Sequence, residues 1–118
     1  MDDLTDTIKT TDMKKQERIL KVLAVETRIR IVYLLKKGPL CVNALAFRIG
    51  ISQGAVSQHL RVMRDAGLVL PEKRGYYVHY RLNETTFAEW RKLIDSFFDP
   101  DRALEADDIE HTPHCSST

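Results

Sequence analysis

The sequence predicts a mostly α-helical domain that carries one small β-hairpin. Apolar residues recur at intervals of three and four over several segments of the 118-residue chain, and a short alternating segment follows a turn of charged residues and glycine. The length suits a single hydrophobic core, since such cores typically hold about 100 to 150 residues. We assign the domain to residues 14–98, between an acidic arm over residues 1–13 and an acidic, flexible tail over residues 99–118.

Two helices are predicted in the first third of the chain. A short apolar face at Ile19, Leu20 and Leu23 follows a charged stretch. A second helix spans Glu26 to Lys37 and ends at Gly38-Pro39, because glycine accepts a left-handed conformation there and proline cannot continue the helix. Both helices present one apolar side to the predicted core.

Two further helices are joined by a short turn. In the segment Cys41 to Ile49 the apolar residues fall on one face, and Gly50-Ile51-Ser52 interrupts the pattern. Ser52 then caps a helix that runs to about Ala66 and stops at Gly67, because its hydroxyl can accept an otherwise unpaired backbone N–H. Two helices separated by a three-residue turn containing glycine have the spacing of a helix-turn-helix.

One face of the second helix of this pair is polar, and over residues 53–64 it carries no acid. On a helical wheel the face covers about 140°, and its residues are Gln53, Gly54, Ser57, Gln58, Arg61 and Arg64. A solvated face is the alternative interpretation, but solvated faces usually mix both signs of charge. Glutamine amides and arginine guanidinium groups can pair with adenine and guanine edges in the major groove of DNA. The residues predicted to contact bases are Gln53, Ser57, Gln58 and Arg61.

A β-hairpin follows this helix directly. Leu68 to Leu70 and Tyr76 to Leu82 are the predicted strands, and Pro71 to Gly75 is the predicted turn. A hairpin in this place is the wing of a winged helix-turn-helix. The alternative is an ordinary charged hairpin tip, which would be the better interpretation of an isolated hairpin. The residues predicted to contact phosphates or the minor groove are Arg64, Lys73 and Arg74.

The last predicted helix, Thr86 to about Phe98, is rich in aromatic residues. Thr86 and Glu89 form a capping box at its start. A body of this size has little core left to cover the aromatic stripe, so we expect part of it to pack against a second copy of the chain. Packing onto the first helix is the alternative, and it would cover about half of the stripe. The predicted dimer-interface residues are Leu20, Leu23, Phe87, Trp90, Ile94 and Phe97.

Charge is segregated along the chain. The net charge of +1 hides a body from Lys14 to Leu82 with 14 Lys and Arg against four acidic residues, which favours DNA as a partner. Residues 1–13 and 83–118 carry net charges of −3 and −6. No apolar run approaches the roughly 20 residues of a membrane span, and the start Met1-Asp2-Asp3 is unlike a secretory signal. Two cysteines 74 positions apart favour a reducing compartment, so we expect a cytoplasmic protein without a membrane partner.

Several motifs share their order and spacing with a known pattern. Residues 52–60 read Ser-Gln-Gly-Ala-Val-Ser-Gln-His-Leu, and residues 65–69 read Asp-Ala-Gly-Leu-Val. Together with residues 24–31 and 74–82 they resemble the ArsR/SmtB family of dimeric winged-helix repressors, whose recognition helix carries S-Q-x-x-V-S-x-H-L before A-G-L-V. The resemblance implies a homodimer that binds double-stranded operator DNA until an effector releases it. Although the signature includes His59, the wheel places this residue on the inner side, so we interpret it as structural.

The metal sites of that family are incomplete in this sequence. Metal-sensing members open the helix before the recognition helix with C-V-C-D-L-C, and residues 41–46 keep Cys41 alone of these three cysteines. The zinc-type site of the terminal helix is absent, because Phe87 to Phe98 contains no histidine. The tail adds nitrogen and sulfur ligands, so the candidate ligands for a metal ion or metalloid are Cys41, His111, His114 and Cys115. The alternatives are a small buried Cys41 and a tail without a bound ion.

These observations predict a sequence-specific transcriptional regulator. It would be a repressor that a metal, metalloid or thiol-redox effector releases from its operator. The alternative is a winged-helix module that docks an acidic protein partner, and specific operator binding distinguishes the two. An enzyme is not expected, because the sequence shows no Ser/His/Asp arrangement and no phosphate-binding glycine loop.

Overall fold

Helices make up most of the computed structural model, which describes residues 7–104. The elements in chain order are β1 (Thr7–Ile8), α1 (Thr10–Leu23), α2 (Glu26–Leu35), β2 (Leu40–Cys41), α3 (Val42–Ile49), α4 (Gln53–Asp65), β3 (Val69–Arg74), β4 (Tyr77–Leu82), α5 (Glu84–Phe98) and β5 (Ala103–Leu104). The predicted fold class, mostly helical with a small hairpin after a helix-turn-helix, is confirmed.

The core lies among α2, α3, α4 and the base of the hairpin. Its residues with at most 1% exposure are Ile31, Leu45, Val56, Leu60, Met63, Leu68 and Val69. Each such aliphatic side chain stabilises the fold by about 1.5 to 3 kcal/mol through burial. Phe87 and Trp90 of α5 are half-buried and pack against this core from outside.

The turn between α3 and α4 forms as its residues predict. Gly50 ends α3 with a φ of +85°, a left-handed value that glycine adopts without strain. Ser52 caps α4, since its Oγ accepts the backbone N–H of Ala55 at 3.1 Å. This cap fixes the direction in which α4 leaves the turn.

Several boundaries differ from the predicted ones, and α2 ends at Leu35 rather than at Lys37. α1 begins at Thr10, so its first turn precedes residue 14. Thr86 is wrong as the cap of the last helix, because α5 begins earlier and Asn83 Oδ1 accepts the Thr86 N–H at 3.5 Å. The predicted turn from Pro71 to Gly75 is also wrong, because β3 continues to Arg74.

The wing is a three-stranded antiparallel sheet with the order β2-β4-β3. β2 was not predicted, and it pairs Cys41 with His79. The last pair of the hairpin joins Arg74 to Tyr77, which leaves a loop of Gly75 and Tyr76. Gly75 has a φ of +64°, and no non-glycine residue of the described chain has a positive φ. These values fit a type II′ loop, which matches the twist of the two strands.

In the described part of the chain, no helix has the length and apolar character needed to cross a membrane.

Candidate nucleic-acid interface

α4 separates its polar residues from its apolar ones as the helical wheel predicts. Val56, Leu60 and Met63 have exposures of 0%, 1% and 0%. The predicted contact residues on this helix are all exposed, and they are Gln53, Ser57, Gln58, Arg61 and Arg64. Because the buried row holds the helix against the core, the opposite row forms a fixed polar surface with two arginines. The prediction that this face has no acid is wrong at its end, because the exposed Asp65 is the last residue of α4 and lies on the same side.

Both ends of α4 are attached to the body. Ser52 caps the first turn, and at the other end Arg18 Nη2 of α1 donates to the carbonyl oxygen of Asp65 at 3.0 Å. The last carbonyl groups of a helix lack partners within the helix, and they carry partial negative charge that a cation stabilises. The polar face therefore sits on a helix whose position is set by contacts elsewhere.

Gln53 is positioned by a neighbour in α3. Its Nε2 donates to Asn43 Oδ1 at 3.0 Å, across the turn that joins the two helices. The Gln53 side chain remains exposed. To form two hydrogen bonds with one adenine, the Gln53 amide would exchange Asn43 for the base.

His59 points into the body, as we expected. Its Nδ1 accepts from Arg28 Nε at 3.2 Å, and Arg28 also donates to the Val22 carbonyl at 3.1 Å. Burial lowers the pKa of His59 below its ordinary value of 6.5, and the positive charge of Arg28 lowers it further. The neutral imidazole therefore joins α4 to α2.

The wing carries its charges beside an acid. Arg74 and Lys73 are exposed as predicted. However, Arg74 Nη2 lies 3.5 Å from Glu72 Oε1, and Arg81 Nε lies 3.7 Å from the same oxygen. At the tip, Tyr76 is 100% exposed.

Of the four predicted metal ligands, Cys41 alone lies within the residues that the structure describes. Cys41 is half-buried and caps α3, with its Sγ accepting the Ala44 N–H at 3.4 Å. His79 lies opposite it on β4, and His79 Nδ1 is buried with no hydrogen-bond partner within the described residues. Residues 7–104 contain no group of three potential metal ligands, so they do not fit a three-thiolate site. The other predicted ligands lie outside the described residues, and they are His111, His114 and Cys115.

The predicted dimer residues fall into two groups. Leu23, Phe87 and Trp90 are half-buried against the core, and Ile94 is also half-buried. Leu20 and Phe97 instead are 43% and 53% exposed. The latter two line an apolar groove of about 490 Å³ between α1 and α5, together with Met13 and Ala24.

Sequence patterns missed the contacts that depend on the tertiary structure. Arg18 and Asn43 carried no local signal, since their partners lie 47 and 10 residues away. Tyr76 had a usable signal, because an aromatic residue directly after the glycine of a hairpin loop has no neighbour to cover it.

A helix-turn-helix with an exposed basic second helix, followed by a hairpin, defines the winged helix class of DNA-binding proteins. The family model described as bacterial regulatory protein, arsR family, matches residues 26–70. The chain is also 44% identical over 79 residues to the arsenical resistance operon repressor of Escherichia coli K12, covering 66% of this chain and 68% of that repressor. The chain belongs to the ArsR family of transcriptional regulators.

Solved structures agree with this assignment. The crystal structure described as a possible transcriptional regulator for arsenical resistance is 48% identical, with a TM-score of 0.63, and the match covers 68% of this chain and 83% of that one. A homodimeric winged helix-turn-helix DNA-binding domain from Mycobacterium bovis is 29% identical with a TM-score of 0.58, covering 72% and 83% of the two chains. The chain covers 52% of the length of the arsenic resistance transcriptional regulator ArsR1 of Pseudomonas putida. It covers 79% of the length of the regulator Rv2034 of Mycobacterium tuberculosis.

Proposed function

We propose that the chain is a repressor that binds operator DNA as a homodimer, with α4 in the major groove and the wing beside it. The observation that carries the proposal is the two-sided α4, whose apolar row is buried while its opposite row is exposed and carries Arg61 and Arg64 against one acid, Asp65, at the end of the helix. A face with an excess of positive charge matches the dense negative charge of DNA. The name of the Escherichia coli relative supports the repressor assignment.

Each predicted contact residue has a role in this complex. The side chains proposed to contact base edges are Gln53, Ser57, Gln58 and Arg61, and those proposed for phosphates or the minor groove are Arg64, Lys73 and Arg74. Arg61 can donate two parallel hydrogen bonds to guanine, whereas Arg74 would exchange Glu72 for a phosphate. Base contacts give sequence preference, and phosphate contacts give affinity for any sequence.

The second copy of the chain is proposed to cover the groove between α1 and α5. None of the α5 residues, all of which the structure describes, is buried within one copy. Leu20 and Phe97 leave large apolar surfaces exposed beside this groove, and the Mycobacterium bovis relative is a homodimer. The proposed interface residues are Leu20, Leu23, Phe87, Trp90, Ile94 and Phe97.

The test compares base contacts with phosphate contacts. A duplex selected by the wild-type chain from a random library serves as the cognate site, and an unrelated duplex serves as the reference. Arg61→Ala should cost about 1 to 3 kcal/mol at the cognate site and little at the reference. Arg74→Ala should weaken both equally, because a phosphate contact is independent of sequence.

Two results would contradict the proposed function. If the wild-type chain selects no sequence from the library, operator binding fails and docking of an acidic protein partner replaces it. If Arg61→Ala weakens both duplexes equally, α4 does not read bases. Affinity for both duplexes should also fall steeply with salt, since each neutralised phosphate releases counterions.

The proposal includes release by a soft metal ion, a metalloid or an oxidant through Cys41 and the tail residues His111, His114 and Cys115. Its supporting observation is the half-exposed position of Cys41 at the start of α3. Substituting both cysteines by serine should abolish release of DNA by zinc, arsenite, cadmium and a thiol oxidant. Release that continues unchanged in the double variant would exclude these thiols as the sensor.

A further inference from the structure

Tyr76 occupies the tip of the wing on a short, defined loop. The strands β3 and β4 pair up to Arg74 and Tyr77, so two residues alone form the loop. With Gly75 in the left-handed region, the backbone of Tyr76 is set by the turn. Tyr76 is 100% exposed, the highest value among the exposed large hydrophobic residues of the described chain. An aromatic side chain is thus held in solvent by a rigid hairpin.

The hairpin is anchored to the end of the recognition helix. The Leu68 N–H donates to the Met63 carbonyl at 2.9 Å, and the Asn83 N–H donates to the Leu68 carbonyl at 2.8 Å. Six residues of β3 at about 3.3 Å each carry the tip roughly 20 Å from this anchor. Since the major groove is about 12 Å wide, the tip can reach the next minor groove.

The charges near the tip are already shared with an acid. Arg74 and Arg81 both lie within 4 Å of Glu72 Oε1, at 3.5 and 3.7 Å. These are surface ion pairs, so each is weak and exchangeable. Even so, the carboxylate reduces the net positive charge of this part of the wing, while Tyr76 extends beyond it.

We propose that Tyr76 is a specificity residue that enters the minor groove beside the operator half-site and favours A·T pairs there. This inference rests on the proposed function. The Tyr76 hydroxyl donates to the acceptor atoms that adenine and thymine present in the minor groove, whereas the amino group of guanine blocks that position at G·C pairs. The flat ring packs against deoxyribose. Because tyrosine is uncharged, this contact neutralises no phosphate.

The test is a parallel selection from a random duplex library with the full-length wild-type chain, Tyr76→Ala and Tyr76→Phe. Wild type should enrich a core sequence with A·T-rich flanks. Tyr76→Ala should enrich the same core with unbiased flanks and bind the A·T-flanked duplex roughly fivefold to tenfold more weakly. Tyr76→Phe should keep part of the affinity and lose the A·T preference, since it lacks the hydroxyl.

Two controls distinguish a contact of Tyr76 with the minor groove from a change in phosphate neutralisation and from the loss of any exposed tyrosine. Tyr33→Ala removes another exposed tyrosine, 62% exposed on α2, and should change neither flank preference nor affinity. In salt titrations Tyr76→Ala should keep the wild-type slope of log K against log salt. Lys73→Ala should reduce the magnitude of that slope by about 1.8, because the homodimer loses two phosphate contacts at about 0.9 each.

The outcomes distinguish the two proposals. If wild type enriches a core and Tyr76→Ala enriches the same core and the same flanks, the inference about Tyr76 is overturned while operator binding stands. An equal loss in Tyr33→Ala, or a reduced salt slope in Tyr76→Ala, also overturns it. If wild type enriches no sequence, operator binding itself has failed.

Discussion

At the residue scale, His59 makes the stability of the fold depend on pH. Its folded pKa lies below 6.5, while in the unfolded chain it returns to about 6.5. The unfolded state therefore binds more protons as pH falls below about 6.5 toward the folded pKa, and the folded state loses stability in that window. The contribution of His59 to the free energy of unfolding, measured by urea titrations, should be lost as the pH falls below about 6.5.

The matched variant for this effect is His59→Gln. Its amide oxygen can still accept from Arg28 but does not titrate. The difference in unfolding free energy between wild type and variant should change with pH below about 6.5, because other titrating groups cancel in the comparison. A difference that stays constant from pH 8 to 5 would exclude His59 as the source.

Cys41 also has a structural role that can be measured. Its Sγ accepts the Ala44 N–H in the position of an N-cap, so Cys41→Ala should lower the free energy of unfolding by about 1 kcal/mol. Cys41→Ser keeps an acceptor in the same place and should change stability by less than about 0.5 kcal/mol. Equal losses for both variants in urea titrations would show that packing of the sulfur, rather than the cap, stabilises this site.

At the element scale, one buried hydrogen bond joins α1 to α5. Gln16 is 5% exposed, and its Nε2 donates to the Leu93 carbonyl at 2.8 Å. Gln16→Ala should lower the free energy of unfolding by about 1 to 2 kcal/mol, because it removes this bond and leaves a gap between the helices. Glu26 pairs with Arg30 on the exposed surface of α2, so Glu26→Ala should cost about 0.3 to 0.5 kcal/mol. If the two variants lose similar amounts of unfolding free energy in urea titrations, the hydrogen bond of Gln16 to Leu93 does not stabilise the fold more than a surface ion pair does.

Elements set by local periodicity were predictable, and those set by distant contacts were not. The burial of Val56 and exposure of Arg61 follow from the 3.6-residue repeat of one helix. Pro71 signals a turn, but in the structure it lies in β3 and pairs with Tyr80 of β4. β3 is an edge strand, where the missing N–H of a proline is tolerated. Asn83 caps α5 because β4 ends at Leu82 and so fixes the residue at which the helix can begin. The local sequence does not show where β4 ends.

The same limit applies to the candidate site. Exposure of the predicted contact residues on α4 followed from the wheel. The contacts that position them did not, since Gln53 bonds to Asn43 of another helix and Arg18 reaches the far end of α4. Such contacts depend on how the helices cross, which is decided by packing of the whole core.

At the scale of the whole molecule, dimer formation should depend on the groove between α1 and α5. Leu20→Glu places a charge in the proposed interface, where burying it without a partner is costly. Sedimentation velocity should show a dimer dissociation constant at least about tenfold higher than that of wild type, which corresponds to about 1.4 kcal/mol of binding free energy. Ile29→Glu is the matched control, because Ile29 on α2 is 42% exposed against 43% for Leu20. Equal weakening by both variants would place the interface elsewhere.

Because charge is segregated along the chain, we expect its acidic ends to limit indiscriminate DNA binding. Residues 83–118 carry a net charge of −6 next to a body of +10, so they compete with phosphates for the same cations. Since α1 begins at Thr10 and β1 pairs with β5, truncation to residues 14–98 would also remove structure. Neutralisation is therefore the cleaner test, and the four acids to be replaced by amides are Glu105, Asp107, Asp108 and Glu110.

The neutralised variant should bind a non-cognate duplex more tightly at low ionic strength, by about tenfold at 0.01 M salt, where the Debye length is about 30 Å. At 0.15 M salt, where that length is about 8 Å, this gain in affinity should be much smaller. Fluorescence anisotropy over this salt range measures both limits with one duplex. Unchanged non-cognate affinity at low salt would mean that the acidic residues do not screen the basic body. A gain of the same size at 0.15 M salt would point to a direct contact rather than to charge.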